Sequence, residues 1–231
     1  MFKNLYKNKF KKISYSQCGE DLIVEFIFNI LKVNDVYYLD IGEHHPYYLS
    51  NTALFYEKGF SGVLVEPDPD LCKLIKKYRK KDLCLNFGIG INNESDANFF
   101  IFDVPTLNTF SSEEALRYQK EGHRIIKTIK VTLVDINSLI DNYCSKVPNF
   151  VSIDIEGYDF QVLSMFNFQK YRPEVFCIET LTYAKNGKNR KLNEIINLME
   201  SKGYLLYADT YINSIFVEKN KWKRDGKKIS Q

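Results

Sequence analysis

Short apolar runs alternate with longer mixed segments along most of the chain. The runs at 36–42, 62–67, 83–90, 149–157 and 174–180 are rich in Val, Ile, Leu and Phe, and each ends near Gly, Pro or an acidic residue. Such runs are typical of strands that are buried on both faces. Because segments with helical spacing separate them, the pattern predicts a mostly parallel, doubly wound α/β sheet with helices on both faces.

The mixed segments carry the helix and turn signals. Helices are predicted at 22–31, 50–60, 70–81, 159–168 and 192–202. The stretch 106–124 has turn and capping residues but little apolar periodicity, which is typical of a lid or substrate loop. The segment 204–220 contains two β-rich runs around 209–213 and predicts a terminal antiparallel hairpin.

Composition favours a single domain over residues 1–231. Hydrophobic residues make up 45% of the chain and aromatic residues 15%, enough for one well-buried core. The net charge of +3 is too small to suggest a polyanion-binding fold, so no nucleic-acid partner is expected. The five cysteines are scattered and never form a CxxC pair, which indicates free thiols and predicts a cytoplasmic protein.

Both ends of the chain are basic. Residues 1–13 form a basic amphipathic segment that is compatible with contact at an anionic membrane surface, although packing on its own domain is the commoner role of such segments. No apolar leader or run of about 20 apolar residues is present, so we expect neither secretion nor a membrane span. The tail at 219–231 is also basic.

Acidic residues stand at the ends of the predicted strands. In open α/β sheets, ligands bind beyond the carboxyl ends of the strands. Glu66 ends the second strand, 26 positions after Asp40, where a carboxylate that binds a ribose diol is expected. The turn after the first strand, residues 42–46, holds one glycine and the acidic Glu43. Such a turn serves a pyrophosphate poorly and a cationic nucleoside better, which indicates S-adenosylmethionine (SAM).

Several motifs then match a known family in order. They are Ser16-Gln17-x-Gly19-Glu20-Asp21-Leu22, Asp40-Ile41-Gly42-x-His44-His45-Pro46, Ser50-Asn51-Thr52, Val65-Glu66-Pro67, the segment 151–159 and Ile178-Glu179. Together they resemble the FkbM family of SAM-dependent methyltransferases over roughly residues 14–218. Members of that family are mostly O-methyltransferases that act on sugars and other natural-product hydroxyls.

The resemblance implies a Rossmann-like class I methyltransferase fold and a set of cofactor contacts. Gly42 and the backbone around it would hold the methionine part of SAM, Glu66 the ribose, and residues 87–90 the adenine side. The predicted cofactor-binding residues are Gln17, Glu20, Asp40, Gly42, Glu43, Asn51, Thr52, Glu66, Pro67, Gly88, Asp154 and Glu156. The sequence departs from the family at Glu43, where a small residue is more usual, and at Pro46, where a further glycine is.

Catalysis is predicted at His45, Asp154 and Glu179. Carboxylates that end apolar strands are costly to desolvate unless they are paired or metal-bound. Methyl transfer to a hydroxyl needs a general base or a divalent cation, and these three residues are suited to both, with Mn²⁺ or Mg²⁺ as the metal. In the structural alternative, Glu156 caps the next helix and His44 or His45 closes the proline turn.

These observations predict a SAM-dependent O-methyltransferase. The expected acceptor is a sugar hydroxyl, with a nucleotide-linked sugar for capsular or other surface polysaccharide as the leading candidate, and a homodimer is possible. One alternative is a metal-dependent nucleotide-sugar glycosyltransferase that uses Asp154-Ile155-Glu156 as a D-x-D-like motif. The other is a non-catalytic module that binds a membrane or nucleic acid through its basic ends.

Overall fold

A computed structural model describes residues 10–91, 94–155, 157–182 and 190–225. Its strands are β1 (Tyr37–Ile41), β2 (Ser61–Val65), β3 (Leu83–Leu85), β4 (Gly88–Ile89), β5 (Asp96–Phe102), β6 (Ile125–Val134), β7 (Phe150–Ile153), β8 (Val175–Glu179), β9 (Leu181–Thr182), β10 (Arg190–Lys191), β11 (Tyr204–Asp209) and β12 (Asn213–Glu218). Its α-helices are α1 (Glu20–Leu31), α2 (Ala53–Glu57), α3 (Pro69–Tyr78), α4 (Ser112–Lys120), α5 (Ile136–Tyr143), α6 (Asp159–Met165), α7 (Asn193–Ser201) and α8 (Lys219–Asp225). A 3₁₀ turn covers Pro105–Leu107.

Seven strands form the central sheet in the order β11-β12-β8-β7-β1-β2-β3. The five strands from β8 to β3 are parallel, whereas β12 runs antiparallel to both β8 and β11. The chain leaves β1 toward β2 on one side and returns to β7 on the other, so the order of strands switches between β1 and β7. The predicted α/β class, with a mostly parallel sheet and a C-terminal antiparallel hairpin, is therefore confirmed.

Two apolar layers cover the sheet because successive strand residues point to opposite faces. Leu39, Val63 and Phe176 belong to one layer, which α5, α6 and α7 complete. Tyr38, Leu64 and Phe150 belong to the other layer, which α1, α2 and α3 complete. Every residue of β1, β7 and β8 is buried, which explains why their sequences read as continuous apolar runs.

The predicted strand at 83–90 is wrong in one respect, because the structure divides it between two sheets. β3 is the edge of the central sheet, whereas β4 pairs with β6 in a smaller sheet of order β4-β6-β5. Asn86 lies at the break, where its Nδ2 donates to the carbonyl oxygens of Glu66 (2.9 Å) and Pro67 (2.8 Å). These side-chain bonds replace the strand ladder at this point.

Two predicted helices are shorter than expected. The helix at 50–60 spans only Ala53–Glu57, because the Ser50 hydroxyl accepts from the backbone N–H groups of Thr52 and Ala53 and caps the turn. The helix at 70–81 ends at Tyr78, after which Arg79 turns into the interior. Both changes place polar side chains beneath the loop that follows β1.

The structure also bears on the thiols and the basic ends. All five cysteines are free. Within the described ranges, no helix combines the length and apolar character that crossing a membrane requires. Most of the predicted membrane-contact segment 1–13 and the end of the basic tail, 226–231, lie outside the described residues.

Candidate active site

A cavity of about 1010 Å³ lies over the carboxyl ends of β1, β2, β7 and β8. Its volume is at the upper end of the range of about 300–1,000 Å³ that is usual for small-molecule sites. The 3₁₀ turn and α4 cover it, as expected for the stretch 106–124. The predicted site residues that line it are Gln17, Gly42, Glu43, Asn51, Glu66, Pro67, Asp154 and Glu179.

The turn after β1 needs a glycine. Gly42 has a φ of +87°, and a Cβ atom on it would lie 1.9 Å from the carbonyl oxygen of Asp154. Its backbone N–H and that of Glu43 donate to the carbonyl oxygen of Val65 at 3.0 and 3.3 Å. Because these donors are used within the protein, the turn is not a phosphate cradle. The carbonyl oxygen of Asp154 occupies the space next to Gly42, so only a glycine fits at this point between the ends of β1 and β7.

Glu66 is a buried acid at the end of β2. Its carboxylate accepts hydrogen bonds from the backbone N–H groups of His44 (2.9 Å) and Asp68 (2.7 Å), which hold it in place. Burial raises the pKa of Glu66 to about 8. A carboxylate that is fixed at the end of the second strand and lines the cavity is suited to accept hydrogen bonds from a ribose diol.

We expect Glu66→Gln to weaken binding of S-adenosylhomocysteine (SAH) about 10- to 150-fold, which corresponds to the loss of hydrogen bonds to a charged acceptor. Since the ionised carboxylate is the better acceptor, wild-type affinity is expected to rise from about pH 7 to 9, and E66Q to abolish that part of the rise. Calorimetric titration with SAH at several pH values measures both effects.

The stability of E66Q shows whether a loss of SAH affinity could come from unfolding. An acid whose pKa is raised in the folded state contributes stability below its unfolded pKa and loses that contribution as the pH rises through about 8. E66Q is therefore expected to be at least as stable as the wild type at pH 9. Wild-type SAH affinity in E66Q would refute the ribose role of Glu66.

Asp154 and Glu179 meet at the centre of the sheet edge. Asp154 directly follows β7 and Glu179 ends the neighbouring strand β8. Burial raises the pKa of Asp154 to about 6, with the charges of Asp40 and Glu20 adding to the rise and a hydrogen bond with Glu179 opposing it. Two hydrogen-bonded carboxyl groups in a site that is partly shielded from water can take up and release a proton near neutral pH.

A buried arginine supports the loop after β1 from below. The Arg79 side chain is fully buried and donates to Ser50 Oγ (3.2 Å) and Thr52 Oγ1 (3.0 Å), and it forms an ion pair with Glu43. Its Nε also pairs with Asp82 Oδ2 at 2.7 Å. Arg79 thus connects α3 and β3 to the wall of the cavity. The sequence analysis missed it, because an isolated arginine after a helix has no distinguishing pattern.

Two predicted cofactor residues belong to this supporting layer. Asp40 and Thr52 do not line the cavity. The Thr52 hydroxyl lies 2.9 Å from Asp40 Oδ2 and 3.1 Å from Glu43 Oε2. Asp40 and Thr52 thus lie behind the wall of the cavity, and their predicted contact with the cofactor stays a prediction. Glu43 both lines the cavity and belongs to this supporting layer.

Two acids in the first turn of α1, Glu20 and Asp21, hold the N-terminal loop in place. Asp21 accepts from Ser14, Ser16 and the backbone N–H of Tyr15, all within 2.9 Å. Glu20 accepts from the backbone N–H of Cys18 at 2.7 Å and from Thr210 Oγ1 at 2.6 Å. Glu20 does not itself line the cavity, and its predicted cofactor contact stays a prediction. The loop that it holds places Gln17 at the cavity.

The two histidines differ in role. His45 does not line the cavity, whereas His44 does. The Nδ1 atom of His45 accepts from the backbone N–H groups of Tyr47 (3.2 Å) and Tyr48 (2.9 Å), and burial lowers its pKa. His45 therefore closes the proline turn as a neutral side chain, which was the structural alternative, and its predicted catalytic and metal-ligating roles are not supported.

The donor set does not fit a metal ion. Among residues 10–91, 94–155, 157–182 and 190–225, no group of three His, Cys, Asp or Glu side chains is placed to hold one. Asp154 and Glu179 are close together, but His45 Nδ1 is committed to its own turn. Glu156, predicted as a cofactor contact, lies outside the described residues.

The segment 105–121 that covers the cavity, named the lid below, contributes residues that the sequence analysis did not single out. Asn108 joins it to the N-terminus of α3 by donating from Nδ2 to Asp68 Oδ2 at 3.0 Å. Phe110 lines the cavity and stacks on Phe99 with ring centroids 4.6 Å apart. A Cβ atom on Gly88 would lie 2.5 Å from the Phe110 ring. Gly88 thus makes room for Phe110, and its predicted cofactor contact stays a prediction.

Comparison with known proteins adds one family and a set of solved structures. The family model described as "Methyltransferase FkbM domain" matches residues 40–206. No curated protein sequence matches the chain significantly.

Three solved methyltransferases illustrate the structural likeness. A Staphylococcus aureus protein, described provisionally as a caffeoyl-CoA O-methyltransferase, has 9% identity and a TM-score of 0.49, covering 94% of this chain and 90% of that one. The TehB-like SAM-dependent methyltransferase from Corynebacterium glutamicum has 10% identity and a TM-score of 0.44, with coverages of 94% and 96%. The SAM-bound amino pentose methyltransferase from Micromonospora echinaspora has 8% and 0.43, with the same coverages. At these values the structures carry no information about the substrate of this chain.

Proposed function

Because this chain belongs to the FkbM methyltransferase family and is a SAM-dependent methyltransferase, we propose that it methylates a hydroxyl group of a sugar. The observation that carries this choice is the hydrogen-bonded pair of Asp154 and Glu179 at the cavity. A hydroxyl is a very weak acid, so its methylation is assisted by a group that takes its proton. A carboxylate with a pKa near 6 is suited to that step.

The residues of the site support binding of SAM in a stated orientation. Gly42 lines the cavity at the end of β1 and suits the methionine part, and Glu66 suits the ribose. When bound, SAM would supply a methyl group on a positively charged sulfur. Asp154 also lines the cavity, so its carboxylate favours a cationic ligand there and would orient the acceptor hydroxyl. The Asp154 carboxylate then takes the hydroxyl proton, with Glu179 as its hydrogen-bonded partner.

The rim of the cavity supports a sugar acceptor. Tyr48 lines the cavity and is 59% exposed, which leaves its ring available for stacking on a sugar face. Arg117 and Lys120 of α4 also line it, but Arg117 is paired with Glu114 and Glu121 of the same helix, so this part of the rim does not identify a phosphate site. A sugar hydroxyl is therefore the acceptor that we propose, with a nucleotide-linked precursor of capsular or other surface polysaccharide as the leading candidate.

A divalent cation is not part of this proposal, because the donor set around Asp154 does not fit one. The glycosyltransferase alternative rested on Asp154 and Glu156 as a metal-binding pair. The family match favours methyl transfer over that alternative, and no contact of the described residues favours a diphosphate at Asp154.

The proposal is tested by calorimetry and by methyl transfer. The protein is expected to bind SAH but neither uridine diphosphate nor guanosine diphosphate alone, and to transfer labelled methyl from SAM to a hydroxyl of a nucleotide sugar in a panel. Full activity is expected after dialysis against EDTA. Binding of a nucleoside diphosphate without SAH binding would favour glycosyl transfer, and a product methylated on nitrogen would refute O-methylation.

A further inference from the structure

Two buried asparagines that line the cavity have a side-chain acceptor without a partner. Among the described residues, neither Asn51 Oδ1 nor Asn213 Oδ1 has a hydrogen-bond partner. Asn213 is only 3% exposed. Leaving a buried acceptor unsatisfied costs free energy, and native proteins keep few such groups. A ligand that donates a hydrogen bond to each would remove that cost.

The amide of Asn213 is held in one orientation. Its Nδ2 donates to Glu20 Oε1 at 3.2 Å, and the same oxygen accepts from Thr210 Oγ1 at 2.6 Å. Reversing the amide would place its carbonyl oxygen against the Glu20 carboxylate. The orientation therefore keeps Oδ1 as an acceptor for a donor that the described residues do not supply.

Asn213 stands beside the proton-transfer pair. It is the first residue of β12 and pairs with Glu179 in the antiparallel register between β12 and β8. Side chains of directly opposite residues lie on the same face, with Cβ atoms about 4.5–5.5 Å apart. Asp154, Glu179 and Asn213 therefore form a row of oxygen acceptors across three adjacent strands. Asn51 Nδ2 donates to Ser152 Oγ at 3.1 Å, two positions before Asp154.

We propose that Asn213 binds the methyl acceptor by taking a hydrogen bond at Oδ1 from a hydroxyl or ammonium group next to the hydroxyl that is methylated. The inference rests on the proposed function, because it requires the reacting hydroxyl to lie at Asp154 and Glu179. Glu179 and Asn213 stand opposite each other on adjacent strands, and that spacing suits two hydrogen-bond donors on neighbouring carbons of the acceptor. The substrate class is accordingly a vicinal diol or a vicinal amino alcohol, and Asn213 selects it over a sugar with a single hydroxyl at that place.

Two variants test the proposal. Asn213→Ala and Thr210→Val each remove one hydrogen bond to Glu20 Oε1, and Thr210→Val also removes a contact to the Asn213 carbonyl oxygen at 3.1 Å, but only Asn213→Ala removes the acceptor Oδ1. The acceptors are methyl glycosides in three forms: with a vicinal diol, with the neighbouring hydroxyl removed, and with an amine in its place. Binding to the SAH-loaded protein is followed by ligand-observed NMR, methyl transfer by labelled SAM, and SAH affinity by calorimetry.

The wild type is expected to prefer a diol or amino acceptor over the deoxy form by at least about tenfold in kcat/KM. N213A is expected to lose that preference with unchanged SAH affinity, whereas T210V keeps it. Comparing the diol acceptor with the amino acceptor shows whether the donor to Asn213 Oδ1 is a hydroxyl or an ammonium group.

Other results overturn the proposal in distinguishable ways. If kcat/KM falls equally for all three acceptors in N213A, or if T210V loses the preference as N213A does, Asn213 has only a structural role. Weaker SAH binding in N213A would assign it to the cofactor site. If the wild type binds SAH but binds and methylates none of the glycosides, the acceptor class is wrong, whereas absent SAH binding would refute the proposed function itself. The wild-type comparison with the deoxy acceptor stands even if N213A does not fold.

Discussion

Asp154→Asn is expected to lower kcat by about 10²- to 10⁴-fold, the usual contribution of a positioned general base. The substitution keeps the shape of the side chain, and the backbone carbonyl that packs on Gly42 is unchanged. SAH affinity is expected to fall far less than kcat, because the substitution leaves the proposed cofactor contacts at Gly42 and Glu66 in place. Steady-state kinetics with labelled SAM, together with calorimetry, separates the two effects.

The pH profile gives a second readout of the same residue. Burial raises the pKa of Asp154 to about 6, and the base acts in its ionised form. Wild-type kcat is therefore expected to rise with pH through about 6 and then to level off, and D154N should lose this limb. A D154N enzyme with the wild-type limb and rate would assign the base to another group.

Asp159 provides the matched control for that experiment. It is also buried, and burial raises its pKa to about 7, close to that of Asp154. Its carboxylate accepts from the backbone N–H groups of Ile155 and Gly157, both at 3.3 Å, so it shapes the turn and does not line the cavity. Asp159→Asn retains an oxygen acceptor and is expected to keep both the rate and the acid limb.

Arg79→Met is expected to lower the free energy of unfolding by about 3–5 kcal/mol, because it leaves buried acids without their cation. For a chain of this length that loss corresponds to a decrease in Tm of about 6–20 °C. Burial already raises the pKa of Asp82 in the presence of Arg79. Without Arg79 its pKa rises further, so the loss is expected to be largest above pH 7 and to shrink as the pH falls and the carboxyl is protonated.

Two controls show whether the effect comes from the buried network. Arg124 pairs with Asp103 at 3.4 Å, but its side chain is 85% exposed, so Arg124→Met is expected to cost less than about 1 kcal/mol. Adding Glu43→Gln to R79M removes one of the orphaned acids and is expected to restore part of the stability. Chemical denaturation at pH 5 and pH 8 measures all four proteins, and a loss in R79M no larger than that in R124M would contradict a structural role for the network.

The role of Arg79 could not be predicted from the sequence. Its partners Tyr38, Glu43, Ser50 and Thr52 lie 27 to 41 positions away, whereas Asp82 lies only three positions later. Asn213 was missed for the same reason, because its partner Glu20 lies 193 positions earlier in the chain. Glu20 and Thr52 were noticed through the family motifs, but a motif does not distinguish a residue that touches a ligand from one that supports the wall.

The sequence by itself determined the strand–helix alternation, the terminal hairpin and the identity of the acids at the strand ends. These features follow from local periodicity and from the burial of parallel strands, which a linear pattern records. Only the tertiary structure decided that His45 closes its own turn, that Asp154 and Glu179 share a hydrogen bond, and that Asn213 faces Glu179 across β12 and β8. The two pairings join distant segments, and the role of His45 depends on how its ring is oriented within its own turn. A linear pattern records neither, because side-chain pairing and orientation are set by packing after the chain has folded.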